Sequence, residues 1–203
     1  AYGWEKPSKI QEVGIKPVID GKDCIIQAQS GTGKTGTFCI SCLSKVNPEI
    51  KSCEILTISP TREIAEQSLN VMRELNKYLN YSIAGVIGGK RLNLDEIKTS
   101  NIIVGTPGRI FDLLQKSVIN TENIKLFVID EADIMLQKGF REQVSSIIQY
   151  LKEDCQFAIY SATMPEEIVQ LTDQFMNHPI KILVKKKELT LQGIKQYYIG
   201  LST

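Results

Sequence analysis

A short stretch with two closely spaced glycines constrains this chain more than any other feature. Residues 28–35 read AQSGTGKT, between a β-branched apolar run at 24–26 and an apolar, helix-compatible segment at 38–43. This order of strand, glycine loop and helix is typical of a Walker A loop, whose backbone N–H groups curl around phosphate oxygens. The free N–H groups of the following helix add to the attraction for anions. Lys34 is predicted to reach the outer phosphates, and the Thr35 hydroxyl to ligate Mg²⁺.

The loop departs from the strict Walker pattern at its first position, where Ala28 replaces glycine. The substitution is compatible with the pattern if position 28 ends the strand in ordinary β conformation, because Gly31 and Gly33 then make the unusual turns. The alternative is a surface turn with a chance lysine, which the flanking segments disfavour. The predicted phosphate-binding residues are Ser30, Gly31, Thr32, Gly33, Lys34 and Thr35.

Short apolar strands alternate with helices along the rest of the chain. The predicted strands are 24–26, 55–59, 82–87, 102–104, 126–129, 157–160 and 180–184, and the predicted helices are 8–19, 61–79, 94–97, 109–115, 132–151 (one or two helices) and 166–176. This alternation predicts an α/β fold with a mostly parallel sheet covered by helices on both faces. Ligands of such sheets bind beyond the carboxyl ends of the strands.

An acidic sequence follows one of these strands. Asp130-Glu131-Ala132-Asp133 comes directly after the apolar run 126–129. Asp130 lies where a Walker B carboxylate holds Mg²⁺, usually through water. Glu131 could orient and deprotonate an attacking water. The alternative is an acidic helix N-terminus, which the helix dipole favours in any case, but the glycine loop makes the catalytic interpretation stronger.

Charge and cysteine content exclude several classes of protein. The net charge is +1, so any nucleic-acid site must be a local surface. No apolar run approaches the ~20 residues of a membrane span, and we expect no membrane partner. The five cysteines lie mostly in apolar segments, which predicts free buried thiols in a reducing compartment. Cys39 and Cys42 lack the second ligand pair of a metal site.

The first residue is not Met, so we expect a fragment.

With these motifs identified, the chain resembles the DEAD-box RNA helicase family. Residues 130–133 spell the signature of the family, residues 28–35 are similar to its motif I, and 161–163 to its motif III. The further similar segments are 3–11 (Q motif), 60–65 (motif Ia, with Ile64 where leucine is usual), 88–89 (GG element) and 106–109 (motif Ib). The matches follow the order of the family. They imply a three-layer RecA-like P-loop domain over residues 1–187. Residues 188–203 would form a linker and the start of a second RecA-like domain.

The resemblance implies that the nucleotide is ATP, bound with Mg²⁺. Gln11 would read the adenine edge, with Lys6 and Pro7 near it and Trp4 as a wall of the pocket. The implied catalytic residues are Lys34, Asp130 and Glu131, with Thr35 and Asp130 as the Mg²⁺ ligands.

The resemblance also implies how ATP and RNA communicate. Ser161 and Thr163 would contact Asp133 and couple the state of the nucleotide to RNA. The residues implied to line the RNA track are Pro60, Thr61, Arg62, Gly88, Gly89, Thr106, Gly108 and Arg109.

The residue types in this track suit RNA independently of the resemblance. Exposed N–H groups, small hydroxyls and two arginines fit phosphate and sugar contacts, which position a strand without reading its sequence. We therefore expect binding that tolerates any sequence and is weakened by salt. For residues 106–109 the alternative is a turn followed by a helix cap.

Residues around Phe140 and in the run 181–191 are most similar to the branch of the family that acts in translation initiation and to its close exon-junction relative. This implies a cytoplasmic ATP-dependent RNA helicase, with a nuclear location as the alternative, and initiation-factor scaffold proteins as partners. Another hypothesis is an ATP-gated RNA clamp that scaffolds an exon-junction-type complex. A third is a DNA-directed or RecA-type P-loop ATPase. The arginine-finger motif of a second lobe does not occur, so we expect this chain alone to hydrolyse ATP hardly at all.

Overall fold

A parallel β-sheet forms the centre of the fold. The computed structural model describes residues 5–89, 91–137 and 139–183. The strands are β1 (Cys24–Gln27), β2 (Ile55–Ile58), β3 (Ile83–Val86), β4 (Ile102–Gly105), β5 (Leu126–Ile129), β6 (Gln156–Ser161) and β7 (Ile180–Leu183). They form one seven-stranded sheet in the order β3-β4-β2-β5-β6-β1-β7. Every pairing between these strands is parallel.

Helices cover both faces of the sheet. They are α1 (Lys9–Ile19), α2 (Lys34–Lys45), α3 (Arg62–Leu75), α4 (Leu94–Thr99), α5 (Pro107–Gln115), α6 (Ala132–Gln137), α7 (Arg141–Ile148) and α8 (Glu166–Thr172), with a 3₁₀ turn at Asn76–Tyr78. Apolar side chains of α1, α2 and α3 pack in one core cluster. Those of α4 to α8 pack in the other. The three-layer α/β architecture predicted from the sequence is therefore confirmed.

Strand β5 shows why the central strands read as unbroken apolar runs. All of its residues, Leu126–Ile129, are at most 2% exposed. Leu126 and Val128 pack against α1–α3, whereas Phe127 and Ile129 pack on the opposite face. A strand that is buried on both faces needs apolar residues at every position, because successive side chains point to opposite faces.

The helix boundaries differ from the predictions where side chains terminate a helix early. The predicted helix 61–79 is α-helical only to Leu75. The Asn76 amide then donates to the Tyr81 carbonyl at 2.8 Å and accepts the Tyr81 N–H at 3.1 Å. These bonds turn the chain toward β3. The segment 132–151, predicted as one or two helices, forms two. They are separated near Gly139, whose φ of 77° is left-handed.

Several further expectations concern the chain as a whole. All five cysteines are free and buried, as predicted. Among the described residues, no helix is long and apolar enough to cross a membrane. The same part of the chain contains no cluster of His, Cys, Asp and Glu side chains that could hold a metal ion on its own. The predicted domain boundary at 187 and the linker 188–203 lie outside the described residues and stay predictions.

Candidate nucleotide and nucleic-acid site

The glycine loop has the geometry that the sequence predicts. Gly31 and Gly33 take left-handed φ values of 80° and 103°, and α2 begins at Lys34. The Ala28 N–H donates to the Ser161 carbonyl at 3.0 Å, which continues the pairing of β1 with β6. Position 28 thus extends the strand, and a glycine is not required there. A strained turn is needed only at the two glycines that follow.

Lys34 connects the glycine loop to the acidic sequence. Its Nζ donates to the Ala28 carbonyl at 2.8 Å and lies 3.2 Å from Glu131 Oε1. The lysine side chain is 5% exposed and the glutamate side chain 14%. The loop after β1 and the acids after β5 therefore lie together beyond the carboxyl ends of the strands. The two motifs are about a hundred residues apart in the chain, and the parallel topology brings them together.

Asp130 is a carboxyl group held in an environment that opposes its ionisation. It is 2% exposed. Burial, and after it the charge of the neighbouring Glu131, raise its pKa to about 7, and Lys34 opposes this rise. A carboxylate with so little solvent gains most when a cation is bound beside it.

Glu131 has two unusual features. Its φ of 49° is left-handed, which costs a non-glycine residue on the order of 1–3 kcal/mol. Its Oε2 is buried and has no hydrogen-bond partner among the described residues. Buried polar atoms are rarely left without a partner. The orphan oxygen and the Asp130 carboxyl, together with the half-buried Thr35, provide the hard oxygen donors and water partners that Mg²⁺ prefers, so the residues fit this ion.

We predict that Asp130→Asn stabilises the ligand-free chain at alkaline pH. The folded-state pKa of about 7 lies above the ordinary aspartate pKa of 3.8. The stability that this carboxyl contributes is therefore complete below 3.8 and is lost as the pH rises through about 7. Asparagine keeps the shape without the buried charge, so the gain should reach a few kcal/mol above pH 7. Urea unfolding in the absence of nucleotide, at about pH 4 and about pH 8, measures it.

Asp112→Asn is the control, because the pKa of Asp112 is shifted in the opposite direction to that of Asp130. Hydrogen bonds and charge from Lys116 and Arg109 lower the pKa of Asp112, so the substitution should not stabilise the chain at alkaline pH. An Asp130→Asn gain of equal size at both pH values would show that ionisation of the Asp130 carboxyl does not destabilise the chain.

Asp133 links the acidic sequence to the end of β6. The Thr163 N–H and hydroxyl donate to Asp133 Oδ2 at 2.9 and 2.7 Å, and the Asp133 N–H donates to Ser161 Oγ at 3.2 Å. Burial opposes ionisation of Asp133, but the hydrogen bonds from Thr163 and Ser161 outweigh it and lower the pKa. These contacts match the arrangement that the resemblance implies, and they fix α6 to the strand beside the phosphate loop.

Gln11 lies against the glycine loop. Its Oε1 accepts the Ser8 N–H at 2.9 Å, and a Cβ on Gly33 would lie 3.0 Å from its Nε2. A side chain at position 33 would crowd the Gln11 amide, so this glycine allows α1 to lie close to the phosphate loop. Lys6 and Pro7 are exposed in the segment before α1. Trp4 lies outside the described residues.

The predicted RNA-track residues converge on one open groove, which we call the primary groove. It has a volume of about 700 Å³. Apart from Phe140, its lining residues follow the carboxyl ends of three neighbouring strands, β2, β4 and β3. The lining consists of Pro60, Thr61, Arg62, Glu63, Gly88, Thr106, Gly108, Arg109, Asp112 and Phe140. Gly89 lies beside this lining, since a Cβ there would be 2.8 Å from Arg62 Nη1. Every predicted track residue is thus in or next to the groove.

The groove also contains residues that the sequence did not indicate. Asp112 accepts from Arg109 at 2.8 Å and from Lys116 at 2.6 Å, which holds the Arg109 guanidinium in place. Its spacing of three residues from Arg109 on one helix was the available signal. Phe140 comes from a distant segment, and no local pattern places it here. Thr106 is the N-cap residue of α5 but its hydroxyl makes no capping hydrogen bond, so the cap interpretation does not account for it.

Comparisons with known proteins agree with this geometry. The DEAD/DEAH box helicase family model matches residues 8–171. A curated relative, eukaryotic initiation factor 4A of Cryptosporidium parvum, is 49% identical over 99% of this chain and 50% of its own length. The chain therefore spans about half the length of the curated relatives that it matches.

Two solved structures are similar to the fold. A DEAD box protein from the hyperthermophile Methanococcus jannaschii superposes with a TM-score of 0.86 and 37% identity, covering 90% of this chain and 51% of that one. Saccharomyces cerevisiae Dbp5 bound to RNA and ADP BeF3 gives a TM-score of 0.83 and 32% identity, covering 95% and 50%. Because the family match extends over most of the chain and includes the phosphate loop and acidic sequence described above, this chain belongs to the DEAD/DEAH box helicase family.

Proposed function

We propose that this chain is the amino-terminal, ATP- and RNA-binding lobe of an ATP-dependent RNA helicase that acts in translation initiation. The main support is the 3.2 Å approach of Lys34 Nζ to Glu131 Oε1. It joins a phosphate loop to a candidate general base at the sheet edge that also carries the primary groove. We propose residues 1–187 as the lobe and 188–203 as the linker to a second lobe.

In this proposal the phosphate loop binds ATP, and the acids act in its hydrolysis. The backbone N–H groups of residues 30–35 bind phosphate oxygens. Thr35 and Asp130 would hold Mg²⁺, largely through water, and the bound ion neutralises phosphate charge. Glu131 accepts the proton of the attacking water. Lys34 must leave Glu131 to reach the phosphates, and this exchange frees the carboxylate to act as a base.

The adenine would be read at the amino-terminal end of α1. Gln11 is held against Gly33, so a base recognised by Gln11 is positioned relative to the phosphates. Lys6, Pro7 and Trp4 are proposed to complete this pocket. Asp133, Ser161 and Thr163 are proposed to transmit the state of the nucleotide to RNA, since their hydrogen bonds join the ends of β5 and β6.

RNA is proposed to lie in the primary groove. The neighbouring structure of Dbp5 contains RNA and ADP BeF3, which supports both ligands for this fold. The groove offers arginines, hydroxyls and glycine backbone but no set of base-reading side chains, so sequence-tolerant, salt-sensitive binding follows. A preference for DNA over RNA in a binding competition would instead favour a DNA-directed P-loop ATPase.

The partners and the cellular role are inferred from the relatives. The similarity to initiation factor 4A supports translation initiation, scaffold initiation factors as partners and a cytoplasmic location. It does not favour the exon-junction clamp. Because the chain spans half of this relative, a carboxyl-terminal RecA-like lobe of the same protein is proposed as the obligatory partner in catalysis.

We predict that this chain alone shows almost no RNA-stimulated ATPase activity. An arginine finger contributes about 10³–10⁵ in rate in other phosphoryl-transfer systems, and the sequence contains no second-lobe arginine motif. Phosphate release should be compared between the chain alone and the chain joined to a second lobe, with and without RNA. Brisk RNA-stimulated hydrolysis by residues 1–203 alone would refute the dependence on two lobes.

A further inference from the structure

A second groove lies at the outer edge of the sheet, beside the primary groove. We call it the edge groove. Its inner part has a volume of about 190 Å³, with Arg73 of α3 on one side and Glu96 of α4 on the other. Its outer part, of about 410 Å³, is lined by residues 91–94. The two parts share Arg91, Leu92 and Asn93, so they form one continuous depression that leads from β3 to the loop before α4.

Small residues in β3 make room for the groove, and hydrogen bonds hold its polar side chains. Ala84 and Gly85 line the inner part, and a Cβ on Gly85 would lie only 2.6 Å from Leu69 Cδ2. Arg73 Nη2 donates to the Ile83 carbonyl at 3.4 Å. Asn93 Oδ1 accepts the backbone N–H groups of the first turn of α4 at 3.2 and 3.3 Å.

The two arginines of the edge groove have charge to offer a ligand. Arg73 and Arg91 are both exposed. Neither makes an ion pair with any described residue. Glu96 lines the α4 side of the groove, so an anion would be drawn away from this carboxylate and toward the guanidinium groups of Arg73 and Arg91.

The position of the edge groove follows from the order of the strands. The primary groove crosses the carboxyl ends of β2, β4 and β3, which are neighbours in that spatial order. A strand that follows this line passes Gly88 and Gly89 and then leaves the sheet beside Arg91. Gly88 lines the primary groove, and Ile87 and Arg91 line the edge groove. One extended RNA strand could therefore occupy the primary groove and then the edge groove.

We propose that the edge groove holds the ribose-phosphate backbone of single-stranded RNA that leaves the primary groove at its Gly88–Gly89 end. This inference rests on the proposed RNA binding and extends its footprint. Guanidinium groups match phosphate oxygens in geometry and charge, and such contacts do not read sequence. An extended peptide added to the edge of β3 is the other occupant to test, but Arg73 already occupies the Ile83 carbonyl that such a peptide would need.

Titration of this chain with oligo(U) of two lengths, followed by amide resonances in NMR spectra, tests the proposal. A hexanucleotide should shift the Gly88 and Gly89 signals but not those of Gly85 and Asn93. An oligonucleotide of twice that length should also shift the Gly85 and Asn93 signals. The Arg73→Ala/Arg91→Ala variant should bind the longer oligonucleotide about tenfold more weakly in low salt, with a salt slope smaller by about 1.4. Its affinity for the hexanucleotide should not change.

Lys77→Ala/Lys98→Ala is the matched control. It removes two charges from the same edge, at residues that do not line the groove, and it should affect both lengths equally. The single variant Arg91→Ala, in an exposed loop, should show about half of the logarithmic loss and guards against misfolding of the double variant.

The outcomes separate the two proposals. If neither oligonucleotide shifts Gly88 and Gly89, the proposed RNA binding fails, and the inference with it. If the longer one shifts these signals but not those of Gly85 and Asn93, only the edge-groove inference fails. A glutamate-rich peptide that shifts Gly85 where RNA does not would overturn it in favour of a peptide partner.

Discussion

Glu131→Gln is expected to abolish RNA-stimulated ATP turnover in the proposed two-lobe protein while nucleotide binding is retained. Glutamine preserves the size of the side chain but cannot accept the proton of the attacking water. Loss of a positioned general base typically costs about 10²–10⁴ in rate. Phosphate release under saturating RNA and ATP measures this loss directly.

The structure explains why affinity should survive this substitution. In the ligand-free site, Glu131 Oε1 lies 3.2 Å from Lys34 Nζ, so ATP must compete with the carboxylate for the lysine. Glutamine removes the charge from this competitor, and the affinity should stay within a few-fold of the parent or rise. Titration with a fluorescent ATP analogue reports it.

The control for Glu131→Gln is Glu166→Gln, which removes an exposed carboxylate from the first turn of α8. This variant should turn over ATP at the parent rate. Turnover by Glu131→Gln at that same rate would show that another group accepts the proton.

The parts of the fold that the sequence predicted are those encoded by local chemistry. Strand β5 is apolar at all four positions because both of its faces are buried, and this pattern is legible without coordinates. The turns at Gly31 and Gly33 are also predictable from the sequence, since only a residue without Cβ takes their left-handed φ freely. Where a motif and its function lie within one strand–loop–helix unit, sequence reasoning located the candidate site.

The parts that the sequence could not predict depend on contacts between distant segments. The residues next to Glu131 in the sequence do not predict its left-handed φ or its unpartnered oxygen. Both features depend on packing at the carboxyl ends of the strands. Phe140 reaches the primary groove from the segment between α6 and α7. Arg73 and Arg91 line the same groove because α3 and the loop after β3 flank the same edge strand.

Lys34→Ala is expected to cause the largest loss of nucleotide binding of any single substitution in this lobe. The Lys34 ammonium is buried, and its two ligand-free partners are the Ala28 carbonyl and Glu131. Removing one member of a buried charge pair costs about 2–5 kcal/mol, which corresponds to a roughly 30- to several-thousandfold weaker complex. Calorimetric titration with ATP and Mg²⁺ should therefore give no measurable heat at concentrations that saturate the parent.

Lys45→Ala separates this effect from a general loss of charge or helix stability. Lys45 is in the last turn of the same helix α2, where its ammonium donates to the Ile19 carbonyl at 3.4 Å. It lies far from the phosphate loop and should leave nucleotide affinity unchanged.

Lys34→Ala also leaves Glu131 buried without its counter-ion beside Asp130, so the variant should unfold at a lower temperature at alkaline pH than at acidic pH. If Lys34→Ala bound ATP like the parent, the phosphates would have to lie elsewhere, and the glycine loop and acids would not form one site.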